Sequence, residues 1–474
     1  MTKKNSLASI AFVLIFGAIA PMLDTTMTNI AINTIMDDLN TSVGTAQWVT
    51  TGYVLTLGIV ILFTGWAVDK FDGKKLYING LLIFLVGSII SGIANNITIL
   101  MIGRMIQGAG SGIIIPLLTT LIIRAANGVG LGKLAATLGL PMVVIPILGP
   151  TVGGYIIDQL NWHWVFYINI PIVIIALIFV LTFMPHFEPL KRDSKLDWIG
   201  FLILSGMFSG FLVGIVNFSS HNTFSSIEAL LPTFLGFDLL IAYVFYAQKF
   251  PQRALVNLNM FKVPNFSGSA VILLMSGVAV NGAMFLLPLY LQNIRGLSVI
   301  WSGTYLIAQG LGLLVTRTQI GKLTDNIGAR WVVLSSIIIA IISTIPFVYF
   351  DVNTNKYLIL IALFVRGMAQ GGLTIPVMAD SYTNIPKEQI AQATTATRML
   401  QNVGGAFGSA ILATVIQNQV NGLVPTVSNL TSAYHTAFIW SIVITLLAAI
   451  PAWFLTHHIA KDNSSEQPEL EGDK

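Results

Sequence analysis

Apolar runs of about twenty residues, separated by short stretches of charge, Gly, Pro and Asn, recur along almost the whole chain. They are too long for membrane-crossing strands, and a backbone in lipid must satisfy its own hydrogen bonds, so each run reads as a helix. Fourteen are predicted, over 8–30, 46–68, 76–94, 97–123, 134–157, 164–184, 196–217, 228–247, 268–290, 300–320, 331–350, 357–380, 396–418 and 435–457. Val165 to Met184 gives twenty consecutive residues without charge, enough to cross a hydrocarbon core of ~30 Å. The start, "MTKKNSLASIAF", looks like a signal peptide, but the apolar run continues past signal length with no A-x-A-like site and reads as a retained first span.

Composition agrees with this pattern. Of 474 residues 55% are hydrophobic and 9% charged, with a mean hydropathy of +0.80, whereas a soluble domain carries about 25% charged residues. Lipid is therefore the solvent for most of the chain. Cysteine is absent, which excludes disulfides, thiolate nucleophiles and Cys-metal sites.

The net charge of +4 matters less than where the charges fall. With both termini in the cytoplasm, 18 of 24 Lys and Arg lie on the cytoplasmic side, including Lys3, Lys4, Arg124, Lys133, Lys191, Arg192, Lys195, Lys249, Arg253, Lys262, Lys322, Lys387 and the tail. The opposite loops hold Arg295 and Lys356, and Arg104, Arg317, Arg366 and Arg398 fall within or at the ends of spans. This asymmetry fixes the expected orientation.

A repeat is also legible. "GWAVDKFDGKK" (65–75) and "GKLTDNIGARW" (321–331) share G-x-x-x-D-x-x-[DG]-[GA]-[KR], 256 residues apart, and Arg104 in "GRMIQGAG" is echoed by Arg366 in "RGMAQGG". Two six-helix halves, with two helices inserted between them, explain the spacing. The expected division is 1–190, 191–262 for the inserted pair, 263–458, and a disordered acidic tail over 459–474. Parallel repeats of this kind place a binding site between the halves near the midplane.

Within the first run, Asp24 stands in "IAPMLDTTMTNIA", where an ionised carboxylate is costly and therefore a functional candidate. A rise of ~1.5 Å per residue puts Asp24 roughly 25 Å from the cytoplasmic edge, at a depth similar to that of Arg104 on span 4. Burial disfavours a charged carboxylate and a nearby guanidinium favours it. A group under both influences changes proton occupancy as its access to water changes; the bland alternative is a static pair that locks two helices.

Taken in order, "LDTTMTNIA", "QWVTTGYVL", "GWAVDKFDGKK", "GRMIQGAG", "PILGPTVGG", "HWVFYINIP" and "LPLYLQNIRGLS" resemble the major facilitator superfamily, in particular its fourteen-spanner drug:proton antiporters, the QacA-like branch. The resemblance runs from about Leu7 to Leu455 and implies an all-α integral membrane fold. It implies that spans 1 and 4 line a central cavity, so that Asp24 and Arg104 meet directly or through water. It also implies that Gly65, Asp69, Lys70, Lys74 and Lys75, with Asp325 and Arg330 in the second half, form a cytoplasmic latch, in which Asp69 meets the N-terminus of span 13 near Arg398. Asp72 departs from the pattern, standing where the family usually has Gly. Gly149, Pro150, Gly153 and Gly154 match the family's antiporter element; physics alone gives a bendable helix, through Pro146 and Pro150, with a small-residue face. Gly404 and Gly408 repeat the spacing in span 13.

Adding the repeat offset to Asp24 gives position 280, beside Asn281, so proton chemistry is assigned to the first half. Cavity candidates are Asn29, Gln47, Trp48 and Gln107 there, and Asn281, Met284, Phe285, Gln292 and Gln309 in the second half; helix packing is an equally simple role for each. "GVGLGKL" (128–134) is set aside as a phosphate loop because it is one residue short and has Leu134 where Ser or Thr would hold magnesium. His457, His458, Asp238 and Asp380 are likewise set aside. The expectation is a bacterial-type plasma-membrane exporter, acting as a monomer without cofactor or metal on lipophilic drug-like molecules, driven by the proton gradient, with no nucleic-acid partner. Export of a specific metabolite, peptide or lipid is the alternative. A membrane-embedded enzyme or receptor would need a nucleophile–base pair, a metal cluster or a sizeable soluble domain, none of which the sequence offers.

Overall fold

The computed structural model describes residues 7–126, 131–189, 192–193, 195–221, 227–251, 253–256, 258–381, 385, 390–420 and 426–455. Lys3, Lys4, Lys191, Lys387, His457, His458, residues 128–130 of the loop set aside above, and the tail 459–474 lie outside them. The first half contains α1 (Leu7–Asp38), α2 (Val43–Lys70), α3 (Gly73–Gly92), α4 (Ile97–Ala126), α5 (Leu131–Gln159), α6 (Trp164–Tyr167) and α7 (Asn169–Phe183). Two helices follow, α8 (Trp198–His221) and α9 (Ile227–Lys249), then a 3-10 turn, Leu258–Lys262. The second half contains α10 (Pro264–Asn293), α11 (Val299–Ile327), α12 (Ala329–Thr344), α13 (Lys356–Gly372), α14 (Ile375–Asp380), α15 (Ile390–Val420), α16 (Val427–Leu447) and α17 (Ala449–Ala452). No strand occurs among the described residues.

Twelve helical segments among the described residues are long and apolar enough to cross a membrane. The other two predicted spans, 134–157 and 196–217, coincide with α5 and α8. In α5 the described side chains begin at Val144, and in α8 the apolar stretch is Trp198–Gly214. Twelve, not fourteen, is the number of spans supported here. Lipid-facing surfaces are evident on α9, which exposes Leu231, Phe234, Leu235 and Phe237 while burying Ala229, Gly236 and Tyr243. A contiguous apolar surface of this kind suits hydrocarbon rather than water.

Helix α1 runs on to Asp38, past the predicted end at residue 30, so Asp24 lies near mid-helix. The polar run that suggests a span end stays helical because Ile32 and Ile35 are fully buried and Trp162 Nε1 donates to Asp38 Oδ2 at 2.8 Å.

The two halves repeat each other's contacts. A Cβ on Gly149 or Gly153 of α5 would meet α1 at Thr26 or at Met27 and Ile30, whereas one on Gly404 or Gly408 of α15 would meet the α10 carbonyls of Leu274 or Val278. Lys74 Nζ donates to the carbonyls of Leu181 (3.1 Å) and Met184 (2.7 Å) at the end of α7, and Arg330 Nε donates to Leu455 O (3.0 Å) just past α17. Lys74 and Arg330 are themselves separated by the repeat offset, and each neutralises the negative end of its bundle's last helix. The inserted pair packs across a seam between the halves, where Leu204, Met207 and Phe208 of α8 join Leu62 of α2 and Ala396 and Met399 of α15.

Candidate functional site

Asp24 and Arg104 are both fully buried and form an ion pair through Oδ2 and Nη1. The carboxylate's other oxygen accepts from Asn169 Nδ2 at 2.9 Å and Gln107 Nε2 at 3.2 Å. Arg104 is held in turn by Val49 O (3.0 Å), by Gln107 Oε1 (2.9 Å) and by the Tyr53 ring, 4.3 Å from Cζ. Gln107 also donates to Ser88 Oγ at 2.8 Å, and Tyr53 donates to Ser111 Oγ at 2.7 Å. Helices α1, α4 and α7 thus meet at the carboxylate, and α2 and α3 hold Arg104 and Gln107 around it. Asn169, which opens α7, is absent from the residues predicted by sequence. The available signal was a lone amide in an apolar run two residues before Pro171.

Beside this cluster lies a cavity of about 230 Å³ lined by Thr26, Asn29, Pro146, Ile147, Pro150, Met284, Pro288, Leu306, Gln309, Gly310, Leu313 and Gln370. Both halves contribute, so it sits between them. Of the cavity candidates, Asn29, Met284 and Gln309 are in this lining and the others are not; Pro150, singled out for bending α5, lines it as well. Gln107 belongs to the charge cluster. Gln47 is fully buried, with neither side-chain polar atom hydrogen-bonded, and Trp48 is half-buried away from the lining. Asn281 faces α15, where its amide would touch a Cβ on Gly405. Phe285 packs into an apolar core, and Gln292 spans the halves by donating to Ile30 O at 3.2 Å. Asp24 itself is not in the lining: it shares α1 with Thr26 and Asn29 but points away, into the first bundle.

The expected latch takes a different form. The Asp69 carboxylate accepts from Arg124 Nη2 at 2.9 Å, within its own half, and α15 begins at Ile390, ahead of Arg398. Gly65, Lys75 and Asp325 are exposed, while Lys70 lies over the Trp66 ring. Asp72 caps α3, accepting from the backbone N–H of Lys74 (2.8 Å) and Lys75 (3.1 Å), and pairs with His186 Nδ1 at 2.7 Å. Partial burial pushes the Asp72 carboxyl up, but the His186 hydrogen bond and the two backbone donors outweigh it and hold the group below its ordinary value of 3.8. This capping contribution is present above pH ~4 and fades as pH falls through the depressed folded value. Asp72→Ala is therefore expected to cost about 1 kcal/mol, read as a lower thermal midpoint in detergent at pH 7, with the gap to wild type closing below pH 4.

At the end of the molecule opposite this loop, the halves are in close contact. Asn33 Nδ2 donates to Asn293 Oδ1. A Cβ on Gly154 would lie 2.7 Å from Val299 O, and one on Gly303 would lie 2.1 Å from Pro150 O. Small residues let the α5 and α11 backbones approach across the seam. This Gly-Pro segment of α5 thus has two faces: Gly149 and Gly153 toward α1, and Pro150 and Gly154 toward α11.

Comparison with known proteins agrees with this architecture. The family model described as Major Facilitator Superfamily matches residues 14–409. Among relatives, the Multidrug resistance protein B homolog of Mycobacterium tuberculosis (strain ATCC 25618 / H37Rv) is 28% identical over 413 residues, covering 87% of this chain and 76% of that protein. The Lincomycin resistance protein LmrB of Bacillus subtilis (strain 168) is 26% identical over 455 residues, covering 93% and 94%. Among solved structures, an auto inhibited POT family peptide transporter superposes with a TM-score of 0.69 at 11% identity over 94% of this chain and 97% of that one. A D-xylose-proton symporter superposes with a TM-score of 0.67 at 15% identity over 95% and 98%. With its repeated helical halves, the cavity between them and a family match across most of its length, this chain belongs to the major facilitator superfamily and is a multi-pass membrane transporter.

Proposed function

We propose that the protein exports lipophilic small molecules in exchange for protons by alternating access, with Asp24 as the coupling group and the cavity between the halves as the substrate site. The observation that carries this reading is the placement of a fully buried carboxylate on the same helix as two cavity-lining residues, Thr26 and Asn29. Movement of α1 as the cavity changes sides alters the distances from Asp24 to Arg104 and Asn169, and with them the balance between charged and protonated carboxyl. The relatives' names, which specify multidrug and lincomycin resistance, favour export of drug-like molecules.

In this cycle deprotonated Asp24 accompanies substrate capture from the cytoplasmic side, and protonation from outside accompanies release and return. A membrane potential contributes ~2.3 kcal/mol per charge per 100 mV, so no ATP or cofactor is required. Both termini cytoplasmic in a bacterial plasma membrane, with the monomer as the working unit, complete the reading. In acid-inside everted vesicles, adding lipophilic compounds is expected to dissipate the proton gradient with wild type and not with Asp24→Asn. A gradient that Asp24→Asn collapses as wild type does would remove Asp24 from the coupling step.

A further inference from the structure

Arg366 is the buried arginine of the second half whose sequence setting echoes that of Arg104, and it is in no ion pair among the described residues. It is 8% exposed on α13, and its described hydrogen bond is from Nη1 to Thr344 Oγ1. The ion pairs among the described residues involve Arg104, Arg124 and His186, and none involves Arg366. A buried guanidinium without a counter-charge is costly unless something else supplies one. Arg366 lines a recess of about 20 Å³ together with Gln309 and Gln370, and those two amides also line the main cavity. They bond each other at 2.9 Å, Gln309 Nε2 to Gln370 Oε1, and so form the partition between cavity and recess.

A second cation continues the same surface. On α11 the cavity-lining positions 306, 310 and 313 are followed by 317, one helical turn beyond Leu313 on the same face. Position 317 is Arg, half-buried and in no ion pair among the described residues. Neither the cavity nor the recess has an Asp or Glu in its lining, and Asp24, on α1 with the lining residues Thr26 and Asn29, is matched by Arg104. The second half's side of the site therefore has positive charge to spare.

We propose that Arg366 is the anchor for an acidic group on the transported molecule, so that the preferred substrates are amphipathic carboxylates with an apolar body. The inference rests on the cavity being the substrate site and names its substrate class. The recess as it stands has room for about one water. Parting the Gln309–Gln370 bond admits a carboxylate to the guanidinium, where two parallel N–H···O bonds form, and the freed amides donate to the same group. The apolar body stays against Met284, Leu306 and Leu313, and Arg317 draws the anion along the face of α11.

The test is equilibrium binding to the purified full chain, with 1-naphthoate and its uncharged isostere 1-naphthamide as probes. Wild type is expected to bind the carboxylate about tenfold tighter than the amide. Arg366→Gln is expected to bring the two affinities within about twofold by weakening the carboxylate alone, and Arg366→Lys to keep part of the preference. The proposal is overturned if wild type shows no preference or binds neither probe, if the preference survives Arg366→Gln, or if that variant loses both probes equally, which marks a brace between α12 and α13. Failure of proton coupling appears in vesicle flux and leaves this binding difference untouched.

Discussion

Arg104→Gln is expected to destabilise the protein by about 3–5 kcal/mol and to stop export, whereas Asp24→Asn stops export in a protein that still folds. The asymmetry follows from what each change leaves behind. Without Arg104, the Asp24 carboxylate keeps only the amides of Asn169 and Gln107 as donors, in a site with no access to solvent. Without the Asp24 charge, Arg104 still has Val49 O, Gln107 Oε1 and the Tyr53 ring, and Asn at 24 offers an oxygen in the place of Oδ1. Thermal unfolding in detergent of both single variants and the Asp24→Asn/Arg104→Gln double variant measures the coupling. The double variant is expected to recover most of the stability lost in Arg104→Gln and none of the export. A single Arg104→Gln variant as stable as wild type would mean that the pair carries no net energy.

The legible parts of this molecule were those where sequence contrast is high. A lone acid and a lone arginine within apolar runs stand out, and the structure pairs them. The Gly, Asp and basic residues of the two repeated loops stand out through their spacing, and their basic members Lys74 and Arg330 hold equivalent helix ends. Amides give no such contrast. Asn169 sits among Val, Phe, Tyr and Ile, and nothing in the order of residues says that α7 will aim it at Asp24. Asn281, Gln292 and Gln107 show the same gap from the other side. Helical periodicity places each on a face but does not say which neighbour that face meets, and they meet α15, α1 and the charge pair rather than the cavity. Hydropathy likewise ends a span where polarity rises, but α1 continues to Asp38 because Ile32 and Ile35 are buried and Asp38 accepts from Trp162.

Asp72 was legible only as an anomaly. A Gly-to-Asp departure in a loop reads as an extra negative charge to be accommodated. In the structure that charge is matched by the first N–H groups of α3 and by His186, which lies more than a hundred residues further along the chain. The loop is thus tied to the end of its own bundle through Asp72, Lys74 and the Gly73 N–H, which donates to Phe187 O at 3.1 Å. This bracing belongs to the first half alone and ties the loop to the end of α7.

Gly303→Val is expected to abolish transport by keeping the end of the molecule opposite that loop from closing. Gly303 of α11 lies against the Pro150 backbone of α5, and an added Cβ would stand 2.1 Å from Pro150 O and 2.5 Å from its carbonyl carbon. Neither atom belongs to a flexible side chain, so the helices must separate. The contact joins different halves, so separation relieves the clash without unfolding either bundle. An overpacking cost of about 1–3 kcal/mol, borne only by the closed arrangement, shifts the equilibrium between states by roughly 5- to 150-fold. The chain contains no cysteine, so a single Gln292→Cys at this seam can be labelled with a maleimide without background. Its labelling rate from that side is expected to rise at least about tenfold in Gly303→Val. Gly367→Ala is the control: its Cβ would stand 1.8 Å from Gln309 O, a contact between α13 and α11 of one half, so it should lower the unfolding temperature without speeding labelling. Equal labelling in Gly303→Val and wild type would show that this glycine contact does not govern closure.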